Sequence, residues 1–436
     1  MTPETKPCKL TSTITFIPKS TMQIFNYKIL ALSFIVLLNG CSSIGKGIAE
    51  AVLEKQDQVD NRVCEIWGEK FTGLKPQLEH DDRKMKLMMV HGVGHHLPGY
   101  STQFLEKLTK ELDLNVTAKS HKNISLTDPK DTSKHLGNLR ISRYMNKSQQ
   151  QELLFYELTW SEITAKDKEF LAYDNSGDQS FRRAEVNDLL KKFSNDTSPD
   201  PIIYLGEKRE DILVSFAQSF CWMISGGWDS LPDDVHQVCS SKDITPFYND
   251  SYGFVSHSLG SRITIDGLQR IASILSNGET APYYTAIANV LKNKEVPIYM
   301  MSNQLPMLQL GRAMPEISNQ ADAYCQVNGS KYTDRMLAKT SIIAFSDPND
   351  LLSYSIPTNF VNKYLDSRLC INVTNININV AKIYDAFGLG KLANPMDAHV
   401  GYDTDDRVIA LIAKGIANDK TAPIVHERCS WTETIN

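Results

Sequence analysis

The residues best placed to do chemistry lie in the run Gly253-Phe254-Val255-Ser256-His257-Ser258-Leu259-Gly260-Ser261-Arg262. An apolar strand pattern ends in small and polar residues. A helical repeat of Ile263, Ile265, Leu268 and Ile271 follows. A serine at such a strand-to-helix turn is held in a strained backbone. Its hydroxyl is pushed clear of the sheet, with the helix N-terminus beneath it. An acyl-transfer nucleophile needs that setting. The next backbone N–H, from Leu259, then faces the oxyanion that develops on the attacked carbonyl. An ordinary helix cap uses the same residue types, so Ser258 needs support from other elements.

The second group is His91-Gly92-Val93-Gly94-His95-His96, at the end of the apolar run Lys84–Val90. Glycines here let the main chain approach a substrate closely. Histidines at 91, 95 and 96 raise an alternative, a metal-dependent hydrolase. The intervening glycines argue against a helix that would align His91 with His95, and no carboxylate follows in register. The expected metal content is none.

Elements that position these groups are readable in order. Residues 44–68 space Ile44, Ile48, Val52, Val59, Val63 and Ile66 as an amphipathic helix. Ser101 to Leu114 reads as a helix capped by Ser101, and 118–136 as a polar loop. Gln151–Trp160 is a strand. Residues 165–198 are charged and suit a surface insertion or cap, and 209–224 form an apolar helix. Trp222, Trp228, Phe247 and Tyr248 line an acyl pocket or belong to the core. Short buried strands follow at Glu295–Met301 and Thr340–Phe345, then a weaker one over Ile371–Val380. Ser302–Pro306 leaves a strand end and so faces the site. Asp347-Pro348-Asn349-Asp350 is a turn sequence, and Val408–Ala413 a last helix.

The order of these features resembles the α/β-hydrolase family. The elbow pattern there is G-x-S-x-G, and this chain departs at Ser256, which is still small. The resemblance covers roughly 84 to 416, with about 150 residues of insertion, centred on 165–250. It implies an α/β fold: a mostly parallel central sheet flanked by helices, with a large insertion before the elbow. It implies Ser258 as nucleophile, His399 as general base and Asp350 as the acid that orients it, with Asp347 as the alternative acid. It also implies an oxyanion hole from Leu259 and Val93, shaped by Gly92. Tyr402 is the aromatic near the base. No cofactor is expected.

The only long apolar run is Ile29 to Leu38, too short to span a bilayer. It ends in Leu38-Asn39-Gly40-Cys41-Ser42, which resembles the lipobox of bacterial lipoproteins. That implies a signal peptide over 1–41, for which Met22 is an alternative start, and lipidation (palmitate included) of Cys41. Ser42 favours the outer membrane, facing the periplasm. A tether would then fill 42–80, and the hydrolase domain 81–436. Six further cysteines, an even number in an oxidising compartment, suggest disulfides. Cys221 with Cys239 is the expected pair, and fifteen connectivities are open for the set.

The composition is that of a globular protein, 42% hydrophobic and 22% charged, and 436 residues suffice for one large domain with insertions or two domains. A net charge of −5 gives no electrostatic basis for nucleic-acid binding. The expected activity is a serine carboxylic-ester hydrolase, with small-molecule or lipid esters as substrates and the membrane as partner through the anchor. The alternative is a catalytically silent hydrolase-fold lipoprotein that binds or assembles envelope components.

Overall fold

The computed structural model describes residues 62–80, 84–172, 174, 183–239, 245–276, 282–385, 391–417 and 419–432. Cys41, the signal segment, Met22 and 42–61 lie outside the described residues. The chain divides into a large unit, 58–182 with 191–436, and a small one whose described part is Arg183–Leu190.

Thirteen strands are described: β1 Cys64–Gly68, β2 Met85–Val90, β3 Asn115–Thr127, β4 His135–Met145, β5 Glu152–Thr159, β6 Val235–His236, β7 Ser251–His257, β8 Glu295–Met301, β9 Lys339–Ser346, β10 Ile371–Ile378, β11 Ile383–Asp385, β12 Lys391–Ala393 and β13 Cys429–Trp431. Eleven form one sheet in the order β13-β1-β10-β9-β8-β7-β2-β5-β4-β3-β6. The six strands from β10 to β5 are all parallel. Strands buried on both faces need apolar residues at every position. Met85-Lys86-Leu87-Met88-Met89-Val90 and Glu152–Thr159 are buried throughout. Lys86 is accommodated by an ion pair with Asp250 and by donation to the Gly226 carbonyl.

The helices needed below are α1 Thr102–Glu111, α2 Glu162–Ala172, α3 Glu185–Thr197, α4 Pro199–Leu205, α5 Arg209–Ile224, α6 Leu259–Ser276, α7 Pro282–Leu291, α8 Pro395–Val400 and α9 Asp406–Lys414. One face of the sheet packs with Phe216 and Phe220 of α5, Ile263 and Leu268 of α6 and Ile287 of α7. The other packs with Phe104 and Leu108 of α1 and Val408 and Leu411 of α9. The molecule is thus an α/β protein with a mostly parallel central sheet flanked by helices.

Two expectations are corrected. The stretch read as a helix to residue 68 ends in β1, antiparallel to β10. Cys64 and Ile66 point inward with period two, and Val63, which the helical spacing needed inside, is 54% exposed. The loop expected at 118–136 is largely the β3–β4 hairpin. Ile124, Leu126, Leu136, Leu139 and Ile141 are buried on one of its faces, while its other face is polar. Cys221 pairs with Cys239 as expected, and the remaining cysteines pair as Cys64–Cys429 and Cys325–Cys370.

Asp266, two turns along α6, fastens the region before the elbow to this helix. Its carboxylate accepts from Arg262 at 2.6 Å, Arg312 at 2.8 Å, Arg209 at 3.1 Å and Tyr204 at 2.7 Å. Burial alone would raise its proton affinity; Arg262, Arg312 and Arg209 outweigh that and hold it below the usual carboxylate range. Asp266→Ala would leave these cations uncompensated. The expected loss is about 3–5 kcal/mol of stability, measured by denaturant unfolding. The isosteric Asp266→Asn variant should also destabilise.

Candidate active site

The sheet has a topological switch between two neighbours. From β2 the chain goes to β5 on one side, and from β7 it goes to β8 on the other. The loops leaving β2 and β7 therefore diverge, and a crevice opens at their carboxyl ends. Gly92 and Ser258 stand there. Ser302 follows β8, Asp347 and Asp350 follow β9, and His399 comes after β10.

Ser258 has φ +54°, the left-handed region that non-glycine residues avoid. Its N–H donates to the Met301 carbonyl at 3.0 Å, and its carbonyl accepts from Ser261 N–H. The strain is held by close packing. A Cβ on Gly260 would lie 2.2 Å from the Val90 carbonyl oxygen, so α6 can start against the end of β2 only with glycine there. Ser256, where the resemblance leads one to expect glycine, is fully buried and its hydroxyl finds no partner. Ser258 Oγ is also buried without a hydrogen-bond partner. An orphaned buried hydroxyl on a strained turn calls for a functional explanation.

The glycine loop lies against this serine. A Cβ on Gly92 would sit 2.6 Å from Ser258 Cβ and 3.2 Å from its Oγ. The N–H of Gly94 is taken by Asp200 Oδ2 at 2.7 Å, and that of His95 by Asp196 at 3.1 Å. The N–H groups of Gly92, Val93 and Leu259 donate to no described group outside the regular elements. They remain available for an oxyanion.

His91 does other work. Trp160 N–H donates to its Nε2 at 3.1 Å, so its Nδ1–H donates to the Gly92 carbonyl at 2.8 Å. The ring stacks on Trp160 with centroids 4.6 Å apart, and burial pushes its pKa well down. Both nitrogens are committed to shaping the loop. Among the described residues no group of His, Cys, Asp or Glu is arranged to hold a metal ion.

His399, on α8, is brought to Asp350. Its Nδ1–H donates to Asp350 Oδ1 at 3.0 Å. Burial would raise the Asp350 carboxyl, but hydrogen bonds from His399, Leu352 N–H and Ser302 bring it below its ordinary value. Asp347 is engaged elsewhere: it accepts from Asn349 and from Ala381 N–H. Tyr402 links the two acids, accepting from Asp347 N–H at 2.6 Å and donating to Asp350 Oδ2 at 3.3 Å. His399 Nε2 makes no hydrogen bond with a described group, and none joins it to Ser258 Oγ. Such contacts often close only with substrate bound.

Two further residues belong to the site. Ser302, φ +50° and fully buried, donates from Oγ to Asp350 Oδ2 at 2.7 Å and lies 3.0 Å from His399 Nδ1. Its place at the end of β8 was readable; its role was not. Ser302→Ala should lower kcat roughly tenfold with KM little changed, and Ser302→Thr should recover part of it. His257, beside the serine, donates from Nε2 to the His399 carbonyl at 2.8 Å and so ties α8 to the elbow. No sequence signal marks that role.

Burial and the neighbouring His399 lower the pKa of His257 from 6.5 to about 3. It stays neutral in the fold, whereas the unfolded chain takes up a proton near 6.5. Its stabilising contribution is therefore complete above pH 6.5 and is lost as the pH falls toward 3. Thermal melts across that range should show a falling midpoint, with a shallower slope in His257→Asn.

The aromatics flagged as pocket candidates are mostly core: Trp222, Trp228 and Phe247 are buried, and Tyr248 is exposed. Comparison of the chain with family models, with characterised proteins and with solved structures finds no match.

Proposed function

We propose that this protein is a serine hydrolase of the α/β-hydrolase type that cleaves carboxylic esters, lipids among them, through an acyl-enzyme. The observation behind this reading is the Ser258 hydroxyl, buried, without a hydrogen-bond partner among the described residues and on a left-handed turn, at the carboxyl end of a sheet whose neighbouring strand ends lead to the part-buried Asp350–His399 pair. Ser258 Oγ attacks the ester carbonyl. His399 Nε2 takes the hydroxyl proton while Asp350 holds Nδ1–H and stabilises the imidazolium. The N–H groups of Leu259 and Val93 receive the oxyanion. The tetrahedral centre collapses, the C–O bond to the alcohol breaks, and His399 returns the proton to the departing oxygen. Water, deprotonated by His399, then attacks the acyl carbonyl; the C–Oγ bond breaks, His399 returns the proton to Ser258 Oγ, and the acid leaves.

The same proposal sets the chain in the bacterial envelope, anchored through lipidated Cys41, an oxidising setting that suits three disulfides. Rapid-mixing assays with p-nitrophenyl esters of graded chain length test it. An initial burst of nitrophenol matching the enzyme concentration, followed by slower turnover, is expected. Steady hydrolysis no faster than that of the Ser258→Ala variant overturns it. A second reading, a silent site in a binding lipoprotein, draws on the missing Ser258–His399 hydrogen bond and the full burial of Ser258.

A further inference from the structure

A cavity of about 630 Å³ lies between α1 and the β3–β4 hairpin, lined among others by Leu105, Phe155, Ser142, Arg140, His121 and Glu157. Ser258, His399 and Asp350 do not line it. Its size is that of a small-molecule site. It coincides with a slip in the β3 register between Val116 and His121, and bulges of this kind re-aim side chains beside binding sites.

The lining carries the cations Lys110, Arg140 and Lys147 and the carboxylates Glu106, Asp113 and Glu157, yet Arg140 forms an ion pair with none of these carboxylates. Arg140 stands opposite Glu157 in the β4–β5 ladder. The Glu157 carboxylate, on the same cavity wall, makes no ion pair with Arg140 and accepts instead from the N–H groups of Gly99 and Ser101 and from the Ser101 hydroxyl. Arg140 Nη2 instead donates to His121 Nε2 at 3.3 Å. A ring that accepts there is neutral, and desolvation together with Arg140 lowers its pKa. His121 Nδ1 meets Ser142 Oγ at 3.1 Å. Among the described residues no carboxylate lies within ion-pair distance of Arg140, nor of Lys110 and Lys147 farther along the cavity. Asp113, also on the lining, is taken by Lys75 at 2.7 Å.

A planar guanidinium without an acid partner, at the wall of a ligand-sized cavity, suits bidentate capture of a carboxylate or phosphate. We propose that this cavity is a second binding site, separate from Ser258, for the oxyanion of a small molecule, with Arg140 as its anchor. His121, held in turn by Ser142, accepts from the guanidinium, and the two complete the polar wall. Leu105 and Phe155 offer apolar contact to the rest of the ligand.

The test uses the purified protein with inorganic phosphate and with benzoate, each against chloride at equal ionic strength. Saturating anion should raise the thermal midpoint by roughly 3 °C. The rise should persist in Ser258→Ala and vanish in Arg140→Gln. A rise with phosphate alone assigns a phosphate-bearing ligand, and one with benzoate alone a carboxylate; either supports the site. In the unmodified chain, the effective anion should also slow phenylglyoxal modification of Arg140 several-fold, read by peptide mass, which needs no variant to fold. If neither anion moves the midpoint or protects Arg140, the proposal is overturned, as it is if Arg140→Gln keeps the full rise.

Discussion

Ser258→Ala is expected to lower ester turnover about 10⁶-fold, to a residue set by the oxyanion donors and binding alone. The structure gives a reason to expect this loss without loss of fold. Ser258 Oγ makes no hydrogen bond among the described residues, so its removal breaks none there. The strained φ of +54° is imposed by the surroundings: Met301 holds its N–H, and the glycines at 92 and 260 admit the close approach of β2. Alanine keeps the same Cβ and meets the same contacts. Its thermal midpoint should therefore match that of the parent chain, and the rate should fall alone. Steady-state assays with an activated ester, beside a melt of the same sample, measure both.

The second large effect separates the two acids after β9. Asp350→Asn should reduce kcat about 10⁴-fold, because an amide no longer favours the tautomer with its proton on Nδ1. Ser302 and Tyr402 both donate to Asp350 Oδ2, so the amide –NH2 that replaces this oxygen, itself a donor, would face two donors. Asp347→Asn should behave differently. Asp347 accepts from Asn349 and Ala381 and makes no hydrogen bond with His399, so the change loosens a turn and leaves most of kcat. Assays of the two variants side by side decide it. Equal losses in both would contradict the assignment of Asp350 as the orienting acid.

Much of this was legible in the chain because the parallel strands are short, apolar and followed at once by small or polar residues. Met85–Val90 leads to His91-Gly92, Ser251–His257 to Ser258, and Lys339–Ser346 to the Asp347–Asp350 turn. Buried strands speak through composition alone, so their ends can be found without knowing their partners. The edge of the sheet was not legible for the opposite reason. In β3 and β4 the buried apolar residues Ile124, Leu126, Leu139 and Ile141 are separated by polar ones, and the polar ones read as loop. At β1 the period-two signal spans five residues, too few to outweigh a helical spacing that runs into it from before. Between the acids, the turn sequence suited both. What separates them is distance to His399 and the partners of Asp347, which come from elements far along the chain. Ser302 and His257 act through contacts with His399, 97 and 142 positions away, and nothing local marks them.

The measurement that bears most directly on the central claim is the intact mass and peptide map of the protein after exposure to a fluorophosphonate. The account predicts a single stoichiometric adduct on Ser258. That adduct should be absent in Ser258→Ala and form far more slowly in His399→Ala, since attack on phosphorus needs the same base. A folded protein that takes up no adduct, or takes it up on another residue at the same rate in Ser258→Ala, would contradict it.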